Sequence, residues 1–284
     1  MEFFTAELIE ERVVRIRDIT GVFLYLVKGN RKALLIDTGC GIGDIKTYVE
    51  GLTDLPLTVV CTHGHMDHAG GADQFEDVYL NQADWELTFT HCSVNNRIEY
   101  AKFSCAVLHP EIGPRQIEAW EYSKIRTRDY QELCGGMEFD LGGITVQTIP
   151  LPGHTHGSMC MLFKERRSLL MGDTCNPSVF LFDQEALTVE EYRENLIYFR
   201  KYEPLYDRIW LSHGDGNPMP KKLIEECICV CDTILSGTDD KEDFAFMGNI
   251  WKAAFEMFPN QLRKDGGLAN IIYNPQKIRR GVRK

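Results

Sequence analysis

The sequence predicts a layered α/β fold, and three observations lead to this prediction. Apolar stretches of strand length recur in two groups, one before residue 81 and one after residue 143. Segments with apolar residues at helical spacing lie between and after these stretches. Side chains that can bind metals stand directly after several of the predicted strands, and this is where functional sites gather in layered α/β folds.

The strands and helices can be placed in chain order from composition and spacing. Each predicted strand is a short run rich in aliphatic or aromatic residues, which suit a half-buried or fully buried sheet. The predicted strands cover residues 13–16, 22–27, 33–36, 57–61 and 78–80 in the first half, and 144–149, 159–163, 168–171 and 208–211 in the second. The predicted helices cover residues 42–52, 67–75, 189–202 and 220–235.

The most informative motif is the segment 62–71, which follows the predicted strand at 57–61. It contains four side chains that can bind a metal, namely His63, His65, Asp67 and His68. His63 and His65 are two residues apart, so on extended backbone they point to the same side. Asp67 and His68 begin a helix, where their directions diverge enough to reach a second ion. Imidazole and carboxylate suit zinc and its first-row neighbours, so the spacing favours a two-metal site over a polar loop with chance histidines.

Three more candidate ligands occur later in the chain. His154, Asp173 and His213 each stand just beyond the end of a predicted strand of the second half. Together with the segment 62–71 they would form one site at the edge of the sheets, because functional side chains collect at the carboxyl ends of strands in such folds.

In this order of motifs the chain resembles the metallo-β-lactamase-fold metallo-hydrolases, in particular the glyoxalase II-like and lactonase-like binuclear hydrolases. The resemblance covers about residues 13–235, and it rests on Asp37-Thr38-Gly39, on the cluster at 63–68 and on the three later residues. It implies a four-layer αββα sandwich of two similar halves. The metals would lie at one edge of this sandwich, between the two sheets.

The resemblance also implies a role for each candidate residue. One ion would be held by His63, His65 and His154 and the other by Asp67, His68 and His213, with Asp173 bridging both. Asp37 would orient the ligand loop without being a ligand itself. The expected cofactors are two divalent ions, Zn²⁺ in the first place and Mn²⁺ or Fe²⁺ as alternatives. A hydroxide that bridges them would attack the substrate, and Asp67 would act as the catalytic residue that orients this nucleophile and moves the proton.

These features predict a hydrolase that acts on a small ester-like, lactone or thioester substrate. A small-molecule phosphodiesterase is the alternative hydrolase, and a di-iron redox protein is the alternative from another class. Antibiotic-hydrolysing lactamases of this fold usually carry cysteine or serine at the position of Asp173. The nucleases of this fold that cut messenger RNA carry a large domain between the positions of Asp173 and His213, where this chain has only residues 174–212.

Two segments of the chain are not explained by the shared scaffold. The hydrolase domain is expected to cover residues 1–238 and to contain a helical insert at 82–133, and residues 239–284 are expected to form a C-terminal helical extension packing on the same domain. We expect these two segments to wall the site and to select the substrate, because function on a shared scaffold depends on added elements. The candidate substrate contacts are Asn176, Tyr273 and Lys277. Either His91 or His109 of the insert could reach the pocket, but the surface is the default expectation for both.

Composition and charge limit the remaining classes. The chain has 284 residues and 44% hydrophobic content, which is enough for one large domain, and it lacks an apolar run of about 18 residues that would span a membrane. An acidic start and ten cysteines without paired spacing favour the cytoplasm. The net charge of −11 argues against a nucleic-acid partner, and the basic tail that ends in Arg283 and Lys284 is expected to be solvated. The expected partner is a small-molecule substrate, with a homodimer left open.

Overall fold

A computed structural model describes residues 1–281 of the chain, so Arg283 and Lys284 of the predicted basic tail lie outside the described residues. Its first sheet contains seven strands that follow one another in chain order. They are β1 (Phe4–Glu10), β2 (Val13–Asp18), β3 (Phe23–Lys28), β4 (Ala33–Ile36), β5 (Leu57–Val60), β6 (Val78–Leu80) and β7 (Gln131–Glu132). Strands β1 to β4 pair antiparallel, and strands β4 to β7 pair parallel.

The second half of the chain forms two further sheets. The five-stranded sheet has the order β13-β11-β10-β9-β8, and the four-stranded sheet has the order β12-β16-β15-β14. The strands are β8 (Glu138–Asp140), β9 (Thr145–Pro150), β10 (Met159–Phe163), β11 (Ser168–Leu170), β12 (Val179–Leu181), β13 (Arg208–Trp210), β14 (Glu242–Phe246), β15 (Asn249–Ala253) and β16 (Ile271–Tyr273).

The helices lie beside and between these sheets. They are α1 (Ile45–Glu50), α2 (Met66–Ala69), α3 (Trp85–His91), α4 (Val94–Leu108), α5 (Pro114–Glu118), α6 (Val189–Phe199) and α7 (Lys222–Ser236). Helix α6 begins at a capping box formed by Thr188 and Glu191, and α7 ends at Gly237 in the left-handed region. Among residues 1–281, no helix is both long enough and apolar enough to cross a membrane.

The layers follow from the alternation of side chains along two central strands. Phe23 and Tyr25 of β3 belong to a core cluster that also contains Met161 of β10, so this cluster lies between the two larger sheets. Leu24 of β3 belongs instead to a cluster with residues of α1 and α2, and Cys160 of β10 to a cluster with residues of α6 and α7. Because successive residues of a strand point to opposite faces, the layers run helices, sheet, sheet, helices. The predicted α/β sandwich is confirmed.

All nine strands predicted from the sequence are present, with ends that differ by at most two residues. They were recognisable because both faces of each sheet are covered, which makes the central strands apolar along their whole length. The four predicted helices are also present, although the segment 67–75 contains only the short α2 followed by a 3₁₀ turn.

The insert contains three helices, α3 to α5, and leads into β7 at the edge of the first sheet. Its main anchor is Arg97 of α4, whose side chain is completely buried. The Arg97 guanidinium donates to the carbonyl oxygens of Cys40 and Gly70, both at 3.2 Å, and Arg97 Nε donates to the carbonyl oxygen of Cys92 at 3.0 Å. Arg97 therefore ties the insert to the loop after β4 and to the end of α2 in the metal-binding motif.

The prediction that the C-terminal extension is helical was wrong. Within the described part of the extension the chain forms β14, β15 and β16, and β16 pairs with β12 of the preceding domain. The aromatic residues of this segment alternate, as in Phe244 and Phe246, which is the period of a strand. Met247 and Gly248 have φ values of 45° and 82°, and such a two-residue turn with positive φ joins antiparallel strands in a tight hairpin.

Candidate metal centre

The structure brings all seven predicted ligands to one edge of the sandwich. The first group consists of His63, His65 and His154, and the second of Asp67, His68, Asp173 and His213. Within each group the atoms that could bind a metal lie within 4.8 Å of one another. Each residue lies on a loop or helix start that follows a strand, namely β5, β9, β11 or β13, so two layers of the sandwich contribute to the same site.

The three histidines of the first group converge on a common point. His65 Nδ1 lies 2.8 Å from His154 Nε2, and the His63 ring centroid is 4.8 Å from that of His65. His154 donates from Nδ1 to the carbonyl oxygen of Phe180 at 2.8 Å, which assigns its proton to Nδ1 and leaves Nε2 free to face the group. Burial and the neighbouring imidazoles hold the pKa values of His63 and His65 well below the usual range, so both rings are neutral, as metal ligands must be.

One carboxylate oxygen lies between the two groups. Asp173 Oδ2 is 3.2 Å from His213 Nε2, 3.5 Å from His68 Nε2 and 3.8 Å from His154 Nε2. Asp67 Oδ2 is 3.3 Å from His213 Nε2. These distances allow Asp173 to contact an ion in either group.

In the second group, interactions between charged side chains outweigh burial in setting the pKa values. Burial alone would raise the pKa values of Asp67 and Asp173, but His68 and His213 outweigh it and hold both carboxyl groups well below their usual range. Burial alone would also lower the pKa of His213, but Asp173 and Asp67 outweigh it and raise the pKa to about 10. The same carboxylates and Asp37 raise the pKa of His68. The group thus pairs two carboxylates with two imidazoles that readily hold protons.

Asp37 supports the ligand loop from behind. It is completely buried, and its Oδ1 accepts a hydrogen bond from the backbone N–H of Thr62 at 2.7 Å. Its Oδ2 accepts from His68 Nδ1 at 2.9 Å, which directs His68 Nε2 towards the second group. Thr62 Oγ1 also donates to Asp37 and lies 3.0 Å from His63 Nδ1. Asp37 therefore orients one ligand directly and a second through Thr62, the arrangement expected of a carboxylate outside the ligand set.

Several polar atoms of the site fit bound cations. Within the described residues, His63 Nε2, His68 Nε2 and Asp173 Oδ1 are buried and have no hydrogen-bond partner. A buried polar atom without a partner costs about 1–3 kcal/mol, so unpaired atoms at one point call for an explanation. A divalent cation provides one, because nitrogen and oxygen donors at this spacing are those that bind such ions. The donor set therefore suits divalent metals.

A cavity of about 470 Å³ opens over these residues. Its floor contains His65, Asp67, His154, Asp173 and His213. One wall comes from α4 of the insert, with Tyr100, Phe103, Val107 and Leu108, and the other from Phe246 and residues 259–262 of the C-terminal extension. The two walls meet where the ring centroids of Phe103 and Phe246 lie 5.2 Å apart. The two segments expected to wall the site therefore do so.

Of the three predicted substrate contacts, only Asn176 lines the cavity. Tyr273 is buried in β16, between β12 and β15, and its hydroxyl donates to Asp239 Oδ2 at 2.5 Å. Lys277 donates from Nζ to the carbonyl oxygens of the loop at 183–186. The predictions for Tyr273 and Lys277 were wrong, because Tyr273 is buried within a sheet and Lys277 is bonded to backbone carbonyl groups, and neither side chain lines the cavity.

The structure adds residues that the sequence did not single out. Tyr100 donates its hydroxyl to Asp67 Oδ2 at 3.0 Å, and the ring of His91 stacks on that of His65 with centroids 4.4 Å apart. His91 was expected at the surface, but it lines the cavity together with Asp183. His156 is exposed. Helical spacing places Tyr100 on the same helix face as Phe103, but nothing in the sequence shows which face meets the metal site.

Comparison with known proteins agrees with this geometry. Residues 17–88, which include Asp37 and the cluster at 63–68, match the family model described as the metallo-beta-lactamase superfamily, and the related proteins and structures also come from this superfamily. This match identifies residues 17–88 as metallo-β-lactamase superfamily sequence. The other three candidate ligands lie outside the matched residues.

Two of the relatives of this chain are named as thioesterases. It is 28% identical over 165 residues to the acyl-coenzyme A thioesterase MBLAC2 of Homo sapiens, covering 53% of this chain and 57% of that protein. It is 26% identical over 178 residues to the atrochrysone carboxyl ACP thioesterase nsrC of Aspergillus novofumigatus, covering 59% of this chain and 44% of that protein. The chain thus spans about half the length of the curated relatives it matches.

Solved structures of the metallo-β-lactamase superfamily share the fold. A metallo-beta-lactamase from Pontibacter korlensis superimposes with a TM-score of 0.54 at 17% identity, covering 80% of this chain and 97% of that one. The sec-alkylsulfatase Pisa1 from Pseudomonas sp. superimposes with a TM-score of 0.62 at 12% identity, covering 82% of this chain and 43% of that one. At such identities the likeness shows the fold alone.

Proposed function

We propose that this protein is a binuclear metal-dependent hydrolase that cleaves thioesters. The observation that carries the proposal is the position of Asp173 Oδ2, within 3.8 Å of ligand nitrogens from both groups. One ion would be held by His63, His65 and His154 and the other by Asp67, His68 and His213, with Asp173 shared between them. Nitrogen and oxygen ligands favour Zn²⁺, with Mn²⁺ or Fe²⁺ as alternatives.

The side chains of the chain itself prepare the reaction. When bound, a pair of divalent ions supplies an activated water at neutral pH and withdraws electrons from the acyl carbonyl. Asp67 is ionised, faces the cavity and can orient this water, while the Tyr100 hydroxyl holds Asp67 Oδ2 in place. In the reaction a C–O bond forms, the C–S bond breaks and a proton is released. A thiol has a pKa of about 8.5, so the thiolate can leave without a strong general acid.

The cavity walls support an apolar acyl group as the substrate. Phe103, Val107 and Leu262 line the cavity and are 42%, 76% and 50% exposed. Large apolar side chains that stay exposed around a cleft usually mark a binding surface. The cavity volume of about 470 Å³ also lies in the range of small-molecule sites, roughly 300–1,000 Å³. Two relatives that are named for acyl-coenzyme A and acyl-carrier thioesters support the same substrate class.

The proposal is tested by hydrolysis of a small panel with the zinc-loaded protein. The panel contains a long-chain acyl thioester, a lactone, a β-lactam and a nitrophenyl phosphodiester, and a thiol reagent detects thioester cleavage. We expect thioester cleavage that disappears after treatment with a chelator and returns with zinc. Because His156 is exposed and lies outside both ligand groups, His156→Ala serves as a control that keeps the activity. Preference for the phosphodiester, or oxidised iron with visible absorbance in the purified protein, would overturn the proposal.

The two metal groups are expected to differ in their response to pH. His213 and His68 have raised pKa values, so a metal in the second group must displace protons at neutral pH, and its affinity should rise about tenfold per pH unit for each displaced proton. His63 and His65 have lowered pKa values and are already neutral, so the first group should respond much less. Zinc titrations at several pH values between about 6 and 8 measure both slopes. Equal slopes for the two groups would contradict the expectation.

Phe103 is expected to recognise the acyl chain. In Phe103→Ala, kcat/KM for a long-chain acyl thioester should fall roughly 10–100-fold, because burial of such an aromatic side chain against apolar substrate is worth about 1.5–3 kcal/mol. The value for an acetyl thioester should change little, since a short chain does not reach the aromatic wall. The control is Phe89→Ala, which removes an exposed aromatic of the insert that does not line the cavity. An equal loss for both substrates would show that Phe103 acts on the fold instead.

We also propose the cytoplasm as the compartment and a small molecule as the partner. In the described chain all ten cysteines are free thiols, and eight of them are buried, which suits a reducing compartment. Fractionation of cells that express the chain checks the compartment.

A further inference from the structure

A histidine that binds a metal through one nitrogen needs a partner for the other nitrogen. His154 has the carbonyl oxygen of Phe180, His68 has Asp37, and His63 has Thr62. His65 points its Nδ1 towards His154 within the first group, so Nε2 is its outer nitrogen. Its Nε2 is buried and has no hydrogen-bond partner among the described residues. Among the buried ligand histidines of the described chain, His65 is therefore the one whose outer nitrogen has no direct hydrogen bond.

Two side chains, His91 and Asp183, lie beside His65. His65, His91 and Asp183 form a third group in which one nitrogen or oxygen of each residue lies within 4.8 Å of the others. The His91 ring lies nearly parallel to that of His65, with an angle of 24° between the planes. A stacked ring covers the face of the imidazole and is badly placed to accept from its edge. A carboxylate within 4.8 Å is close enough for a hydrogen bond through one water.

The loop that carries Asp183 is held in place by the C-terminal segment. The Lys277 ammonium donates to the carbonyl oxygens of Asp183, Gln184 and Ala186 at 3.1, 3.0 and 2.6 Å. Charge-assisted bonds to three carbonyl groups restrict the backbone of residues 183–186. Asp183 itself is only partly exposed and lines the cavity next to His91. The carboxylate is thus presented to His65 from a restrained loop.

We propose that Asp183 accepts the hydrogen bond of His65 Nε2 through a bridging water and so positions His65 as a ligand of the first metal, while His91 fixes the plane of the ring. The inference rests on the proposed metal centre. Asp183 acts through His65 and is a positioning residue. Carboxylates that hold a ligand histidine from outside fix its tautomer and strengthen its bond to the metal, and their loss typically weakens metal binding about 10–100-fold.

The test measures zinc affinity of the full chain by competition with a chelator, together with metal content per chain. In Asp183→Ala the affinity of the first site should fall about 10–100-fold, and that of the second site should stay unchanged. Asp183→Asn keeps an acceptor without the charge, so its loss should be smaller. Glu185→Gln is the matched control, because it removes a neighbouring acid that is not part of the third group. His91→Phe keeps the stacked ring and should retain both metals.

Cobalt substitution provides a readout that a fold defect would not produce. In Asp183→Ala the visible bands of cobalt in the first site should shift while those of the second site stay in place. Unchanged first-site affinity in both Asp183 variants would overturn the inference. Three zinc ions per chain that fall to two in Asp183→Ala and in His91→Phe would also overturn it, since the third group would then be a cation site. Failure of the unmodified chain to bind two metals would instead overturn the proposed function.

Discussion

Replacement of Asp173 by alanine is expected to abolish thioester hydrolysis, with kcat/KM falling on the order of 10³-fold or more. Loss of a residue outside the ligand set already costs about 10–100-fold. Among residues 1–281, Asp173 is the single residue whose carboxylate oxygen approaches nitrogens of both groups. Without it, two cations a few ångströms apart would lack the negative charge between them, and their repulsion would no longer be offset. The zinc content should therefore fall below two ions per chain.

The measurement combines metal analysis with steady-state kinetics on the same preparation. Asp215→Asn is the matched control, because Asp215 is an exposed acid on the loop just after His213, and within the described part of the chain its side chain bonds only to Asn217. The control should keep both metals and the full rate. An Asp173→Ala protein that binds two zinc ions and turns over at the normal rate would show that Asp173 does not bridge the site.

Replacement of Arg97 by methionine is expected to destabilise the protein by about 3 kcal/mol or more. Methionine fills part of the space but cannot donate hydrogen bonds, so the carbonyl groups of Cys40 and Cys92 would lose the buried donor, while that of Gly70 keeps the hydrogen bond from Ser123 Oγ. Each buried acceptor left without a partner costs about 1–3 kcal/mol. For a protein of this size each kcal/mol corresponds to about 2–4 °C in Tm, so Tm should fall by about 6–12 °C.

Thermal unfolding followed by circular dichroism measures this effect. Arg128→Met is the control, because Arg128 is largely exposed and bonds only to Asp73; its substitution should change the free energy of unfolding by less than about 0.5 kcal/mol. Arg97→Lys should restore only part of the loss, since one ammonium group cannot reach carbonyl groups in several directions. If Arg97→Met unfolds at the normal temperature, the guanidinium is not the anchor of the insert.

The metal-binding part of the site could be predicted because its signal is local in the chain. Strands covered on both faces are apolar throughout, so a histidine or aspartate directly after such a strand is conspicuous, as with His63 and Asp173. The two central sheets follow from the same apolar runs. For these elements the apolar pattern along the chain shows directly which strands are buried and which residues stand at the ends of the strands.

The rest of the site depends on contacts that spacing does not encode. His91 lies beside His65 because α3 turns back over the ligand loop, and no interval of residues signals that return. The C-terminal hairpin was missed because its aromatic alternation spans only a few residues and resembles a short helical pattern. Lys277 was predicted to contact the substrate, but its ammonium group donates to backbone carbonyl groups. Spacing along the chain does not show which of these two partners a lysine will have.

The cavity walls and the ligand set belong to different parts of the chain. The ligands stand at the ends of strands in the two central sheets, whereas the aromatic pair Phe103 and Phe246 joins an insert helix to a C-terminal hairpin. Mutations in these outer elements can reshape the space above the metals while the coordinating atoms stay where the strands hold them. Because of this division, substrate specificity can change through mutations in the outer elements while the hydrolytic chemistry is retained. Protein engineers can use the same division to alter specificity without touching the metal ligands.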